Sequence, residues 1–177
     1  MIKNIVLVLF VIVSLLISSC SNLIFFTNDI RENLVDNNLE IEKVQYYNSK
    51  KIILRRSLSK EETQIAKGVI KLEDGNYFEE IIIPKQTKGI AVSTGSEFLK
   101  IAFETGDNKN LRFVINDDNY YQISADSWKN DYGCISYDTT TYYVVPGSSN
   151  TLLMVSKEYI SNIEKKRRVL EGRSIGE

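Results

Sequence analysis

Residues Glu80–Ile115 read EIIIPKQTKGIAVSTGSEFLKIAFETGDNKNLRFVI, and this stretch decides the fold class. Ile81-Ile82-Ile83 is a β-branched run that suits a strand covered on both faces. Pro84 removes a ladder donor and should end that strand. Thr87-Lys88-Gly89 is expected to turn the chain, its glycine taking positive φ at little cost. Ile90 and Val92 then alternate with smaller residues as far as Thr94-Gly95-Ser96, a second turn. From Phe98 the period is two: Leu99, Ile101 and Phe103 point one way, Lys100 and Glu104 the other. A polar loop, Gly106–Asn110, leads to Leu111, Phe113 and Ile115 with Arg112 opposed. A slip of one residue would carry Lys100 and Arg112 into the core, so the register is well specified.

Upstream of this stretch, Val69–Leu72 and Tyr77–Ile83 read as strands joined at Asp74-Gly75-Asn76, a strong hairpin signal. Ser59 and Glu62 have the spacing of a capping box over a single helical turn. Val44–Tyr47 and Ile52–Leu54 flank Asn48-Ser49-Lys50 and read as a further hairpin. Thr27 is placed to cap a short helix running to about Asn37, with Ile30 and Leu34 on one face. Downstream come a strand at Tyr120–Ser124, a polar segment holding Trp128, and a hairpin of Cys134–Tyr137 with Thr141–Val145. Pro146–Asn150 breaks the sheet before Leu152–Val155. A final helix from Lys157 to about Arg168 is capped by Ser156 and packs through Tyr159, Ile160 and Ile163, with Lys165–Arg168 at its C-terminal end. The sum is an all-β fold with minor helical additions, closed by a C-terminal helix. The strand, turn and strand succession through Lys85–Val114 is similar to small SH3-like barrels; a β-sandwich is the alternative.

The first twenty residues, MIKNIVLVLFVIVSLLISSC, have one early cation, an apolar core from Ile5 to Ile17, then small residues. These thirteen residues, all apolar but Ser14, span about 20 Å in a helix, short of a bilayer core of about 30 Å. This is the pattern of a secretory signal peptide. Ile17-Ser18-Ser19-Cys20 resembles the lipobox of bacterial lipoproteins. The resemblance implies diacylglycerol on the Cys20 thiol, cleavage before it, and acylation of the new α-amine. Ser21 is similar to the residue that follows the cysteine in the outer-membrane class, and Asn22–Phe26 carry no acidic cluster of the kind some surface-exported lipoproteins have, so a periplasm-facing outer-membrane position is expected. The chain then divides into 1–19 as signal peptide, 20–38 as lipidated N-terminus and short tether, and 39–177 as one mostly-β domain ending in a helix.

Composition narrows the function. Hydrophobic residues make up 43% and charged ones 25%, ordinary for a globular protein, and about 157 residues after the leader suffice for one core. The net charge of −1 lacks the basic excess of a nucleic-acid binder, so no nucleic-acid partner is expected. The chain has no histidine, which excludes from it imidazole bases, histidine triads and histidine-ligated metals. With Cys20 acylated, Cys134 has no partner and reads as a buried inert thiol in a strand. Ser57–Lys60 fits the S-x-x-K pattern of penicillin-binding enzymes, but the companion S-D-N and K-T-G motifs are missing. The oxygen-rich loops 106–110 and 116–119 lack calcium-loop spacing, and Asp and Asn serve their own backbone in turns. No catalytic residue, metal or cofactor is expected.

Tyrosine is the remaining anomaly, with ten in the chain. Tyr46-Tyr47, Tyr120-Tyr121 and Tyr142-Tyr143 are adjacent pairs, so each strand sends one ring in and one out. Exposed tyrosines make efficient recognition surfaces. Tyr120, Tyr121, Tyr142, Tyr143 and Trp128 are therefore the candidate binding residues. The expected function is a non-enzymatic envelope lipoprotein, membrane-attached by lipid, whose β domain binds a protein or an envelope glycan. The alternatives are a carboxylate-dependent hydrolase of envelope polymers and a structural or assembly subunit.

Overall fold

The computed structural model describes residues 22–64 and 69–165. The leader, the lipobox and residues 166–168 of the expected basic end lie outside these residues.

In chain order the elements are β1 (Leu23–Phe25), α1 (Asn28–Asp36), β2 (Gln45–Asn48), β3 (Ile52–Leu58), β4 (Val69–Glu73), β5 (Asn76–Ile83), β6 (Lys88–Thr94), β7 (Phe98–Ala102), β8 (Asn110–Ile115), β9 (Tyr121–Ile123), β10 (Ser127–Lys129), β11 (Tyr132–Tyr137), β12 (Thr140–Val144), β13 (Leu153–Ser156) and α2 (Lys157–Lys165). The strands form two antiparallel sheets. One runs β1-β13-β2-β6-β7-β8-β9, the other β10-β11-β12-β3-β5-β4. The fold is thus all-β with two short helices, as expected. Bridges from Thr27 to Tyr120 and from Gln122 to Leu152 bring the two ends of the seven-stranded sheet together, which gives it barrel character. The second sheet packs as a further layer, and both sheets feed one core that includes Leu54 and Val144 as well as Leu99 and Phe113.

Local chemistry explains the elements. Thr27 accepts the Ile30 amide at 3.2 Å and starts α1, whose Leu34 is buried. Ser59 and Glu62 exchange backbone and side-chain bonds at 2.8 and 3.3 Å, the capping box the spacing predicts. Asp74 and Gly75 both take positive φ, which lets a two-residue turn match the strand twist. The same device, Asn130-Asp131, makes a hairpin of β10 and β11, so the polar segment holding Trp128 is a strand. In β7 and β8, Leu99, Ile101, Leu111 and Phe113 face the core and Lys100 opposes Arg112 outside, in the expected register. The Arg112 guanidinium lies 4.9 Å over the Phe98 ring, which relieves the like-charge pairing.

Four expectations are corrected. The stretch 20–38 is not a tether where it is described: β1 pairs with β13 and Phe26 is fully buried, so these residues complete the first sheet. Tyr46-Tyr47 and Ile52–Leu54 are not a hairpin, because β2 pairs with β6 and β13 while β3 joins the other sheet. Asn48 makes this corner: wholly buried, it donates to the Lys50 and Pro84 carbonyls and accepts from the Thr87 amide. The turn before β6 falls at Pro84–Thr87, with Gln86 at positive φ, and Gly89 lies inside the strand. A Cβ there would meet Ile101 and Phe103 at 2.5 and 2.9 Å, so β6 turns Gly89 and Ala91 inward and Ile90 and Val92 outward. Finally, Ile160 and Ile163 pack on the core, but Tyr159 is exposed.

Candidate functional site

The period-two expectation holds within each tyrosine pair, yet the rings do not meet. Tyr121 is fully buried against Phe26, its hydroxyl accepting from Arg31 at 2.7 Å. Its neighbour Tyr120 is half-buried and meets Phe25 edge-on at 5.5 Å. Both belong to the end of the seven-stranded sheet. Tyr142 and Tyr143 lie in the other sheet, with Tyr142 buried and Tyr143 exposed. Trp128 covers Gly133 and faces a shallow cleft with Gln122, Ser124 and Asn150. The five candidates therefore do not make one surface, and Tyr121 and Tyr142 serve the core instead.

What the structure does assemble is an aromatic groove on the outer face of the six-stranded sheet. Tyr143 stands opposite Arg55 on β3 and opposite Cys134 on β11. Two residues along β11, Tyr132 rises on the same face, and Phe78 on β5 completes it from beyond Ser57. Tyr143 and Tyr132 expose 45% and 40% of their surface, and together with Arg55, Ser57 and Phe78 they line a groove of about 270 Å³. The Arg55 guanidinium lies 5.2 Å over the Phe78 ring. Cys134 is half-buried at the edge of this face and not in the core as expected.

Arg55 is held rigidly. Its Nε and Nη2 donate to Glu80 Oε1 at 2.8 and 2.5 Å, and Nη1 to Glu73 Oε2 at 2.9 Å. Lys71 Nζ lies 2.8 Å from the other Glu80 oxygen. The Glu80 side chain is fully inaccessible. Burial alone would push its carboxyl up, but the Lys71 and Arg55 bonds outweigh it and hold Glu80 below the usual carboxylate range.

The neighbouring register position points the opposite way and builds a second feature, a cleft of about 680 Å³ on the inner side. There Arg56 Nε donates to Glu79 Oε2 at 2.7 Å, and the Tyr142 hydroxyl donates to the same oxygen at 3.0 Å. Arg56 also reaches the capping-box Glu62 at 3.0 Å. Across the cleft the Tyr137 hydroxyl donates to Glu104 at 2.8 Å, and Lys109 lies 3.3 Å from Glu104. Burial, then the adjacent Glu79, pushes the Tyr142 phenol up; burial and Glu104 do the same at Tyr137.

Sequence reading missed both acids. Arg55-Arg56 and Glu79-Glu80 lie far apart in the chain and were not singled out. In the β3–β5 register each arginine opposes one glutamate, one pair outside and one inside. Two doublets of opposite charge on strands that pair are the signal that could have found them. The Asn116 side-chain oxygen accepts from its own loop, from the Asp118 and Tyr120 amides at 3.1 and 2.9 Å, as a turn residue does. The chain matches no family model, and comparison with curated proteins and with solved structures finds no match.

Proposed function

We propose that the chain is a lipid-anchored envelope protein whose β domain recognises a protein or an envelope glycan without catalysis. The observation that carries this reading is the aromatic groove: Tyr132, Tyr143 and Phe78 around Arg55 on one exposed sheet face. Exposed aromatic rings give contact area at low entropy cost, and their hydroxyls with the arginine supply directional bonds. A sugar ring or a flat peptide segment stacks on such rings. Arg55 is already fixed by Glu80 and Glu73, so little ordering remains to oppose binding.

The lipobox at Ile17–Cys20 supports the anchor. The first strand begins at Leu23, so a lipid on Cys20 would hold the domain within a few residues of the membrane surface. Under the same reading Ser21 supports an outer-membrane position, and the lack of an acidic cluster in Asn22–Phe26 supports the periplasmic side. The test is recovery of partners from cross-linked envelopes, scored separately for protein and for glycan. Wild type should recover one class and the Tyr132→Ala/Tyr143→Ala double variant should lose it at unchanged melting temperature. Equal recovery by the double variant would refute the groove as the site.

A second reading, hydrolysis by paired carboxylates, draws on one observation: Glu79 and Glu104 line the same inner cleft. Under that reading Glu104→Gln abolishes release of soluble fragments from purified envelope polymer, and wild type must first show such release.

A further inference from the structure

We propose that the chain pairs with a second copy of itself through the edge strand β4, joining two six-stranded sheets antiparallel across a twofold axis. Among the described residues no strand pairs with the far side of β4. Its Val69, Ile70 and Leu72 are exposed by 52%, 41% and 63%. Such an open apolar edge is what soluble proteins normally cover or blunt.

The register of the copy follows from the hairpin. Asp74-Gly75 is a two-residue turn, so its closing pair Glu73–Asn76 is hydrogen-bonded and the pairs alternate from there. Val69, Lys71 and Glu73 thus spend their backbone groups on β5, while Ile70 and Leu72 point theirs outward. Antiparallel pairing centred on Lys71 sets Ile70 of one copy against Leu72 of the other, twice, and uses every outward group between them.

The faces then match. On the inner face the seam is wholly apolar, Ile70 against Leu72. On the outer face Lys71 sits diagonal to Glu73 of the other copy, an opposite-charge neighbour. Lys71 also meets Lys71, but each is already paired with its own Glu80 at 2.8 Å, which mutes the repulsion. The occupant is therefore a second copy and not an arbitrary strand.

Two measurements test this. In cells making the full chain with Cys134→Ser, Lys71→Cys should give a covalent dimer under mild oxidation, since it falls at a close non-hydrogen-bonded pair. Val69→Cys, which would oppose Glu73, should give about tenfold less. Ile70→Lys should cut the Lys71→Cys dimer about tenfold, and adding Leu72→Glu, which sets opposite charges face to face, should restore it. The second measurement keeps Lys71 and its ion pair. The core runs from Phe26 to Val155, so the chain from Ser21 onward holds all of it. That chain should sediment at twice its monomer mass, and the Ile70→Lys variant at the monomer mass. Equal cross-linking at 69 and 71, no rescue by Leu72→Glu, or a wild-type chain still monomeric at about 100 μM would overturn the proposal.

Discussion

Replacing Phe113 by alanine tests the packing on which both faces of the domain depend. Phe113 is fully buried on β8, paired with Leu99 on β7 and Ile123 on β9. Its ring meets Phe103 edge-on at 6.4 Å. Removing a wholly buried phenylalanine loses its transfer free energy and leaves a cavity that strands hydrogen-bonded on both sides cannot close. The cost is about 3–5 kcal/mol, against a total stability of about 5–15 kcal/mol for a domain. At about 2–4 °C per kcal/mol for a chain of this size, the melting temperature should fall by about 6–20 °C. Urea unfolding of the chain from Ser21 onward, followed by tryptophan fluorescence of Trp128, reads the same loss as a lower midpoint at constant slope. Phe103→Ala should cost clearly less, because Phe103 is only partly buried at the rim of the core. A Phe113→Ala midpoint within about 1 kcal/mol of wild type, or a larger loss at Phe103, would refute the inward register of β8.

Other expectations follow from single features. Gly89→Ala should destabilise by about 1–3 kcal/mol through overpacking on Ile101 and Phe103, whereas Gly75→Ala meets no atom and should act only through its positive φ; their difference in denaturant midpoint checks this. Burial raises the phenols of Tyr46, Tyr121, Tyr137 and Tyr142, so their contribution is complete below about pH 10 and is lost as pH rises from there. Alkaline unfolding should accordingly coincide with a rise in tyrosinate absorbance, and a smooth titration of all ten tyrosines in a folded domain would contradict it. Glu80 has a lowered carboxyl, so its contribution is present above about pH 4.5 and is lost as pH falls through the lowered value; Glu80→Gln should flatten the acid limb of stability against pH. Metabolic labelling with a fatty-acid analogue should mark the full chain and not Cys20→Ala, which should leave the membrane fraction; equal labelling of the two would end the anchor reading.

Much of the fold was legible wherever local rules decide. Lys100 and Arg112 fixed the β7–β8 register because a one-residue slip would bury both, and Asp74-Gly75 declared its hairpin by backbone chemistry. What stayed hidden was contact between distant residues. Asn48 looked like a hairpin turn because its three partners, Lys50, Pro84 and Thr87, are set by the fold and not by neighbours in sequence. Gly89 looked like a turn glycine because nothing nearby announces that Ile101 and Phe103 will press on it. The tyrosine pairs showed which rings alternate but not which sheet each would join. One outward ring in Tyr142-Tyr143 was therefore legible, while its identity as Tyr143 and its partners Tyr132 and Phe78 were not. Nothing near Glu79 and Glu80 in the sequence announces that β3 will place an arginine against each.

The contrast between Tyr142 and Tyr143 tests the recognition reading most directly, because the two are adjacent in sequence and opposite in exposure. Each is replaced by alanine, and the melting temperature and the dissociation constant for the recovered protein or glycan are measured on the same preparations. Tyr143→Ala should lose less than about 1 kcal/mol of stability and about 2 kcal/mol or more of binding. Tyr142→Ala should lose stability first, since its ring packs on Tyr137 at 6.3 Å and its hydroxyl bonds Glu79. Binding left intact by Tyr143→Ala in a folded domain would contradict the account.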